Sequence, residues 1–338
     1  MKWTFYQIWN KSLEDRQQKD PKPRDTIWAT EIGGAFVDRY LKMKGEKPTN
    51  PPNARSLRKF EAGNIWECII KYVLSRAGIL ISAQEWLKFE YPDLLPVTGK
   101  LDFVAGGNPD YQKAVKLVHS EFDWLPKSIS KATLNIITSL REKFPDGLDP
   151  VILEIKSCSS FMFEKYERTK QASQHHRFQT FHYLKATGQP EGHIVYISKD
   201  DARMIEIGVY NPSETENEYY SDIQAMTHFI RTGKQPPLEK PIVFDPDFLK
   251  FSANWKIAYS NYLTKLYGFE NQMQFDNKYK PIVERWNRVL GRISEGKNMT
   301  KNNEEALGEI KKEGFDVDVI THLLAKEVKD GEHDGQVQ

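Results

Sequence analysis

Asp149-Pro150-Val151-Ile152-Leu153-Glu154-Ile155-Lys156-Ser157 is the stretch whose reading decides the fold. Val151, Ile152, Leu153 and Ile155 form an apolar, β-branched run of the kind that builds a buried strand. Side chains alternate along a strand, so Glu154 and Lys156 emerge on one face. A carboxylate and an ammonium on a core strand are costly unless they pair or bind an ion. Taken alone, this E-x-K is a buried salt bridge. The acidic residues elsewhere in the chain decide whether it is more.

Towards the N-terminus, residues 54–77 carry a helical pattern closed by Gly78. Ile65, Cys68, Ile69, Tyr72 and Val73 form its apolar stripe. Glu67 lies off that stripe and lines up with Gly63, Ile70 and Leu74, which leaves it partly desolvated or reaching for solvent. Residues 79–89 read as one or two strands. Residues 97–105 read as another, with Leu101, Phe103 and Ala105 pointing one way and Lys100, Asp102 and Val104 the other. Aspartate is depleted in strands. With a second carboxylate at Glu154, Asp102 reads as functional. The segment 106–150 is an excursion between these strands, with helical patterns over 111–122 and 128–143. It is either a substrate-touching insertion or a packed decoration.

Towards the C-terminus, residues 157–170 are polar and aromatic, and a helix runs from 171 to 187, closed by Gly188. Gln179 and Tyr183 share one face of it, joined by His175 and His182. Between Phe161 and Ala186 there are five Lys/Arg, three His and six Phe/Tyr against two Glu; taken alone this is an ordinary amphipathic helix with aromatics in the core, and beside the acidic strands it is a local basic and aromatic strip suited to nucleic acid. Residues 193–198 and 203–210 read as a β-hairpin turning at 199–202.

These elements predict an α/β core with a central mixed β-sheet flanked by helices over 26–212. A polar, loop-like lead-in (1–25) and a short helix (26–44) precede the strands. A C-terminal helical region follows over 213–325, with helices at 249–266 and 278–296 and a short one after 299–303. The tail 326–338 has the composition of a disordered segment. The chain has 338 residues, 39% apolar and 12% aromatic, as a folded protein should. A net charge of +1 excludes a strong global field, so any nucleic-acid contact must be local. Two cysteines, Cys68 and Cys158, are too few for a disulfide framework or a cysteine-ligated cluster, and both read as core thiols. The absence of a signal-type or membrane-length apolar run predicts a soluble, cytoplasmic protein.

Three carboxylates and a lysine thus occur in a set order: Glu67 on a helix, Asp102 on a strand, Glu154 and Lys156 on the next strand. An all-oxygen set suits a hard, hydrated cation, Mg2+ or Mn2+, one ion or two. Such ions bind phosphodiesters, lower the pKa of an attacking water and stabilise the leaving oxygen. Lys156 beside them is placed to orient or deprotonate that water, or to neutralise charge on the phosphate.

This order resembles the PD-(D/E)xK nuclease superfamily, and within it the RecB-like exonuclease branch. The matching residues are the Gly63-Asn64-Ile65-Trp66-Glu67 helix, the Gly99-Lys100-Leu101-Asp102 strand, Glu154-Ile155-Lys156, and Gln179-Thr180-Phe181-His182-Tyr183, which fits the branch's Q-x-x-x-Y motif. The resemblance spans roughly residues 28–210 and implies a restriction-endonuclease-like core. It also implies that Asp102, Glu154, the Ile155 carbonyl and Glu67 ligate the metal and that Lys156 is catalytic. Gln179 and Tyr183 are then expected to contact DNA or steady the site, with His175, Arg177 and Lys100 as further DNA contacts. Relatives of the CRISPR-associated and AddB type carry a His where Glu67 stands, and their four iron–sulfur cysteines are absent, so no cluster is expected. Asp102 and Glu154 lie 52 positions apart, longer than the usual hairpin. No P-loop motif is present, so the chain is not a helicase–nuclease by itself. The implied activity is metal-dependent DNA hydrolysis, exonucleolytic, in DNA repair, recombination or phage DNA processing. The implied partners are DNA and a repair, recombination or replication protein. The alternatives are a structure-specific or nicking endonuclease, an RNA nuclease, or a non-catalytic nucleic-acid-binding module.

Overall fold

The computed structural model describes residues 4–17, 20–122, 129–210, 213–246 and 248–334. Two compact units divide the chain: residues 1–47 with 52–236, and residues 48–51 with 237–338.

The first unit is built on the elements that the spacing predicts. Helix α3 (Ala54–Arg76) follows α1 (Phe5–Gln17), β1 (Ile27–Trp28) and α2 (Phe36–Met43). The side chain of Asn53 caps it by accepting from Ser56 N–H. Gly78 ends it at φ +69, where a Cβ would run into the Asp110 carbonyl oxygen. Strands β2 (Leu80–Phe89) and β3 (Val97–Gly107) pair antiparallel. Helices α4 (Tyr111–Glu121) and α5 (Ile129–Lys143) form the excursion, and the chain returns through β4 (Leu148–Cys158), antiparallel to β3. Helices α6 (Ser160–Thr169) and α7 (Gln174–Thr187) lead to β5 (Gly192–Ser198), parallel to β4. Strand β6 (Met204–Val209) closes the hairpin, and α8 (Ser213–Thr232) completes the unit.

Among the described residues the result is a six-stranded mixed sheet, in which β3 pairs with β1, β2 and β4. This is the α/β core, a central mixed sheet flanked by helices, that the sequence predicts. Leu74, Leu80, Phe103, Ala105, Ile155 and Ile197 form one of its buried clusters, with Trp66 and Ile70 of α3 packed against it. Helix α7 is buried continuously from Phe178 to Leu184.

Several expectations are corrected. The lead-in contains a helix, α1. Residues 26–44 are not one helix: β1 joins the sheet beside β3, and only α2 is α-helical. The expected apolar stripe of α3 does not face the core. Ile65, Ile69 and Val73 are exposed, as is Cys68, because α3 docks through Trp66, Ile70 and Leu74 instead. Cys158 is half-buried. The polar–aromatic segment after β4 is a helix, α6, whose first-turn Ser160 N–H is accepted by Asp200. The expected core boundary at 212 moves to the end of α8, which Asp222 ties to Arg39 of α2 through a paired hydrogen bond of 2.9 and 2.7 Å.

The second unit is not purely helical. Strands β7 (Ile242–Asp245) and β8 (Lys250–Ala253) form a hairpin where a helix is expected over 249–266. Only the short helices α9 (Trp255–Ala258) and α10 (Leu263–Tyr267) remain of that expectation. Helices α11 (Gln272–Ser294), α12 (Lys301–Lys312) and α13 (Val317–Asp334) enclose Trp286, Val289, Leu290, Ile310 and Ile320 against Phe251. Helix α13 extends into the expected tail as far as Asp334, and residues 335–338 lie outside the described ones.

Candidate active site

The site forms where β3 and β4 part. Their register runs Ala105↔Val151, Val104↔Ile152, Phe103↔Leu153 and then stops. The next two residues would be Asp102 opposite Glu154. Parting strands frees backbone groups that must find partners. The Ile155 N–H finds the Asp102 carboxylate at 2.9 Å. The Lys100 carbonyl accepts the Tyr183 hydroxyl of α7 at 2.8 Å. Both motif residues therefore replace rungs of the ladder and hold the strands apart.

Glu154 is 1% exposed and Asp102 8%, so both carboxylates are buried. Lys156 pairs with Glu154 through Nζ and Oε1, and its side chain is 22% exposed. The salt bridge read from the strand period is thus real. It satisfies only half of Glu154: the other oxygen, Oε2, is buried and has no hydrogen-bond partner. Burial, with Asp102 beside it, pushes the Glu154 carboxyl up to about 8, against the pull of Lys156. Burial likewise raises Asp102, although Lys156 and the Ile155 N–H oppose the shift. Burial and then Asp102 raise Glu67. Burial works against the Lys156 ammonium, but Glu154, Asp102 and Glu67 together hold its pKa above the ordinary lysine value.

Gln84 of β2 is a member that the motifs do not announce. Its side-chain amide donates to Glu67 at 3.2 Å and, more weakly, to Asp102 at 3.4 Å. Gln84 takes φ +57, a left-handed backbone unusual for a strand residue. No periodicity in the sequence marks it, because its role depends on which strand lies beside β3.

Helix α7 brings Gln179 and Tyr183 together, with Gln179 Nε2 donating to Tyr183 Oη at 3.0 Å. Both are buried, so they steady the parted strands. Gly99 makes this possible: a Cβ there would lie 2.7 Å from both Tyr183 Cε1 and Ala29 Cβ. Lys100 is exposed, and its charge acts on both Glu67 and Asp102. Arg177 is half-buried with an unpaired Nε. His175 passes Gly33 with its Cα and Cβ, and its ring lies 3.9 Å from that of His176. His182 is wholly buried, with Nδ1 3.1 Å from Tyr219 Oη on α8. The histidine that does reach the site region is His176, whose Nδ1 lies 2.8 Å from Tyr196 Oη. Its position at i−3 from Gln179 was the signal available in the sequence.

Among the described residues, no group of three or more His, Cys, Asp or Glu side chains could by itself hold a metal ion. The donor chemistry that remains fits a hard cation. Asp102 and Glu154 offer only oxygens, one of them a buried orphan, and their mutual repulsion is what an added positive charge would relieve.

No family model matches the chain, and no curated protein matches it in sequence. Solved structures are similar at a distance. The protein SSO0001 shares 15% identity over 70% of this chain and 89% of its own, with a TM-score of 0.39. The alkaline exonuclease LHK-Exo from Laribacter hongkongensis shares 11% over 68% and 96%, with a TM-score of 0.37. Its complex with dAMP gives 11% over 67% and 93%, and again 0.37. The site above stands on its own geometry. Among the described residues, no helix is long and apolar enough to cross a membrane.

Proposed function

We propose that this chain is a metal-dependent nuclease that hydrolyses DNA phosphodiester bonds, acting as an exonuclease in repair, recombination or phage DNA processing. One observation carries the reading: Asp102 and Glu154 face one another where β3 and β4 part, Glu154 keeps a buried orphan oxygen, and Lys156 stands beside them. A structural ion pair needs neither the second carboxylate nor the unpaired oxygen.

Asp102, Glu154 and the Ile155 carbonyl would hold Mg2+ or Mn2+, with Glu67 approaching from α3. The ion would supply Lewis acidity towards the phosphate and a more acidic water. The chain's own residues do the rest. Lys156 Nζ, drawn to Glu154 in the free protein, is freed once that carboxylate is engaged elsewhere. It then orients a water or neutralises charge on the phosphate through its own protons. Tyr183 and Gln179 keep β3 and β4 apart so that a phosphate can enter. Lys100 and Arg177 would supply positive charge to the phosphate backbone. His175, whose ring lies 3.9 Å from that of His176, would add a further contact to the nucleic acid.

The test is cleavage of end-labelled linear and closed circular DNA with Mg2+, Mn2+ or EDTA, by wild type, Asp102→Ala and Lys156→Ala. Loss of at least about a hundredfold in rate is expected for both variants, on the scale of removing a group that stabilises the transition state. Degradation of linear DNA alone is the exonuclease outcome. Equal cleavage by wild type and Asp102→Ala would sink the mechanism.

A further inference from the structure

His176 is absent from the motifs, yet it extends the α7 stripe. His176, Gln179 and Tyr183 stand at i, i+3 and i+7, so one face of the helix carries all three. Tyr183 meets β3 through the Lys100 carbonyl, and His176 meets β5 through Tyr196. Tyr196 is the register partner of Lys156 across the parallel β4–β5 ladder. Neighbours in such a ladder project to the same side, so His176 leans on the residue next to the catalytic lysine.

The ring is firmly held. Tyr196 is wholly buried and stacks on Tyr166 with centroids 3.8 Å apart. Its hydroxyl oxygen accepts the Ser173 N–H at 3.2 Å and lies 2.8 Å from His176 Nδ1. Tyr166 Oη meets Ser173 Oγ at 2.6 Å. Burial, and then the positive charge of His175 and Lys156, keep the imidazole neutral. In the tautomer whose Nδ1 accepts the Tyr196 hydroxyl proton, the neutral ring carries its own proton on Nε2. That nitrogen is not among the buried unpaired atoms, and the residue as a whole is half-buried. His182 shows the contrast: its Nδ1 also meets a tyrosine, but its Nε2 is buried and closed off.

We propose that His176 donates a hydrogen bond from Nε2 to a phosphate oxygen of the nucleic acid held beside Lys156. This rests on the nuclease reading above. The donor is neutral, so it positions a phosphate oxygen without adding charge. The Tyr196–Tyr166–Ser173 cluster holds the Nδ1 edge of the ring in place.

Two amide replacements separate this role from a structural one. In His176→Asn the shorter amide would reach the Nδ1 position and keep the Tyr196 contact. In His176→Gln the longer amide would reach the Nε2 position and keep the donor. The experiment is single-turnover cleavage of end-labelled DNA with Mg2+ by wild type, His176→Asn, His176→Gln and His176→Phe, with thermal melting of each protein. His176→Asn and His176→Phe are expected to slow cleavage about 10- to 100-fold, and His176→Gln to stay within about 5-fold of wild type. Binding to the same DNA in EDTA is expected to keep its salt dependence in every variant, since no charge is removed. Wild-type rates in His176→Asn, or a His176→Gln protein as slow as His176→Phe, would overturn the proposal while leaving the nuclease reading intact. So would a shallower salt slope in the variants. A folded wild type that cleaves nothing overturns both. Should His176→Phe fail to fold, the Asn and Gln pair decides alone.

Discussion

Glu154 is a buried carboxyl with one oxygen on Lys156 and the other on nothing. Its pKa in the fold, about 8, lies well above its ordinary value of 4.5. Between those values the folded chain holds a proton that the unfolded chain has released, so stability falls as pH rises. Two buried histidines pull the other way at lower pH: His182, depressed to about 4, favours the fold as pH rises towards 6.5, and His176 has the same sign. The window is therefore pH 6.5–8, where His193, raised chiefly by its bond to Glu206, acts with the same sign as Glu154 and only the comparison with Glu154→Gln isolates the carboxyl. Metal-free wild type is expected to lose stability across it, and Glu154→Gln to lose less, by on the order of 1 kcal/mol or more at the upper end. Urea midpoints at both ends of that window measure this, and parallel pH dependences in the two proteins would contradict it. The residues behind this behaviour were unequally legible. Asp102 and Glu154 stand out because acids are rare on apolar strands. Gln84 and His176 do not, because each acts through a neighbour that only the sheet supplies: β3 for one and Tyr196 for the other.

Helix α3 shows where pattern reading stops. Apolar residues occupy both sides of it, and the period fits Ile65, Ile69 and Val73 as well as Trp66, Ile70 and Leu74. The face that docks is the second, because it alone meets Leu80, Phe103 and Ile155 while directing Glu67 towards Asp102. Exposed apolar positions contribute little to stability, whereas a buried leucine contributes both transfer and packing. Ile69→Gln and Val73→Gln are each expected to change stability by less than about 0.5 kcal/mol, and Leu74→Ala to remove about 2–5 kcal/mol. A chemical denaturation series decides it, and an Ile69→Gln loss as large as that of Leu74→Ala would return the stripe to the core. The strands were easier to read, since alternation and β-branching leave one choice of face for β3 and β4. The β7–β8 hairpin was not. Its strands are four residues each, and Asn287 of α11 holds Phe251 by both backbone groups, at 2.7 and 2.9 Å. Such support comes from distant sequence and leaves no local signature.

At the scale of the whole chain, two units carry separate apolar clusters. The first is centred on Phe103, Ile155 and Ile197, the second on Phe251, Trp286 and Leu290. The proposed chemistry lies wholly in the first, since Glu67, Gln84, Asp102, Glu154, Lys156, His176, Gln179 and Tyr183 all belong to it. A chain with two cores need not unfold in one step. In the second, Trp286 is 2% exposed and meets Phe251 and Phe315 edge-on at 5.1 and 5.9 Å. Trp286→Ala is expected to lower the unfolding free energy of that unit by about 3–5 kcal/mol. Leu74→Ala should act on the other. Calorimetry of the intact chain is then expected to show two transitions, with Trp286→Ala moving one and Leu74→Ala moving the other. A single transition displaced by both variants would mean that the two cores melt as one. DNA cleavage measured below the lower transition should then track the first unit: Trp286→Ala keeps its rate at the reacting phosphate, while a loss there as deep as that of Lys156→Ala would place the second unit inside the catalytic machinery.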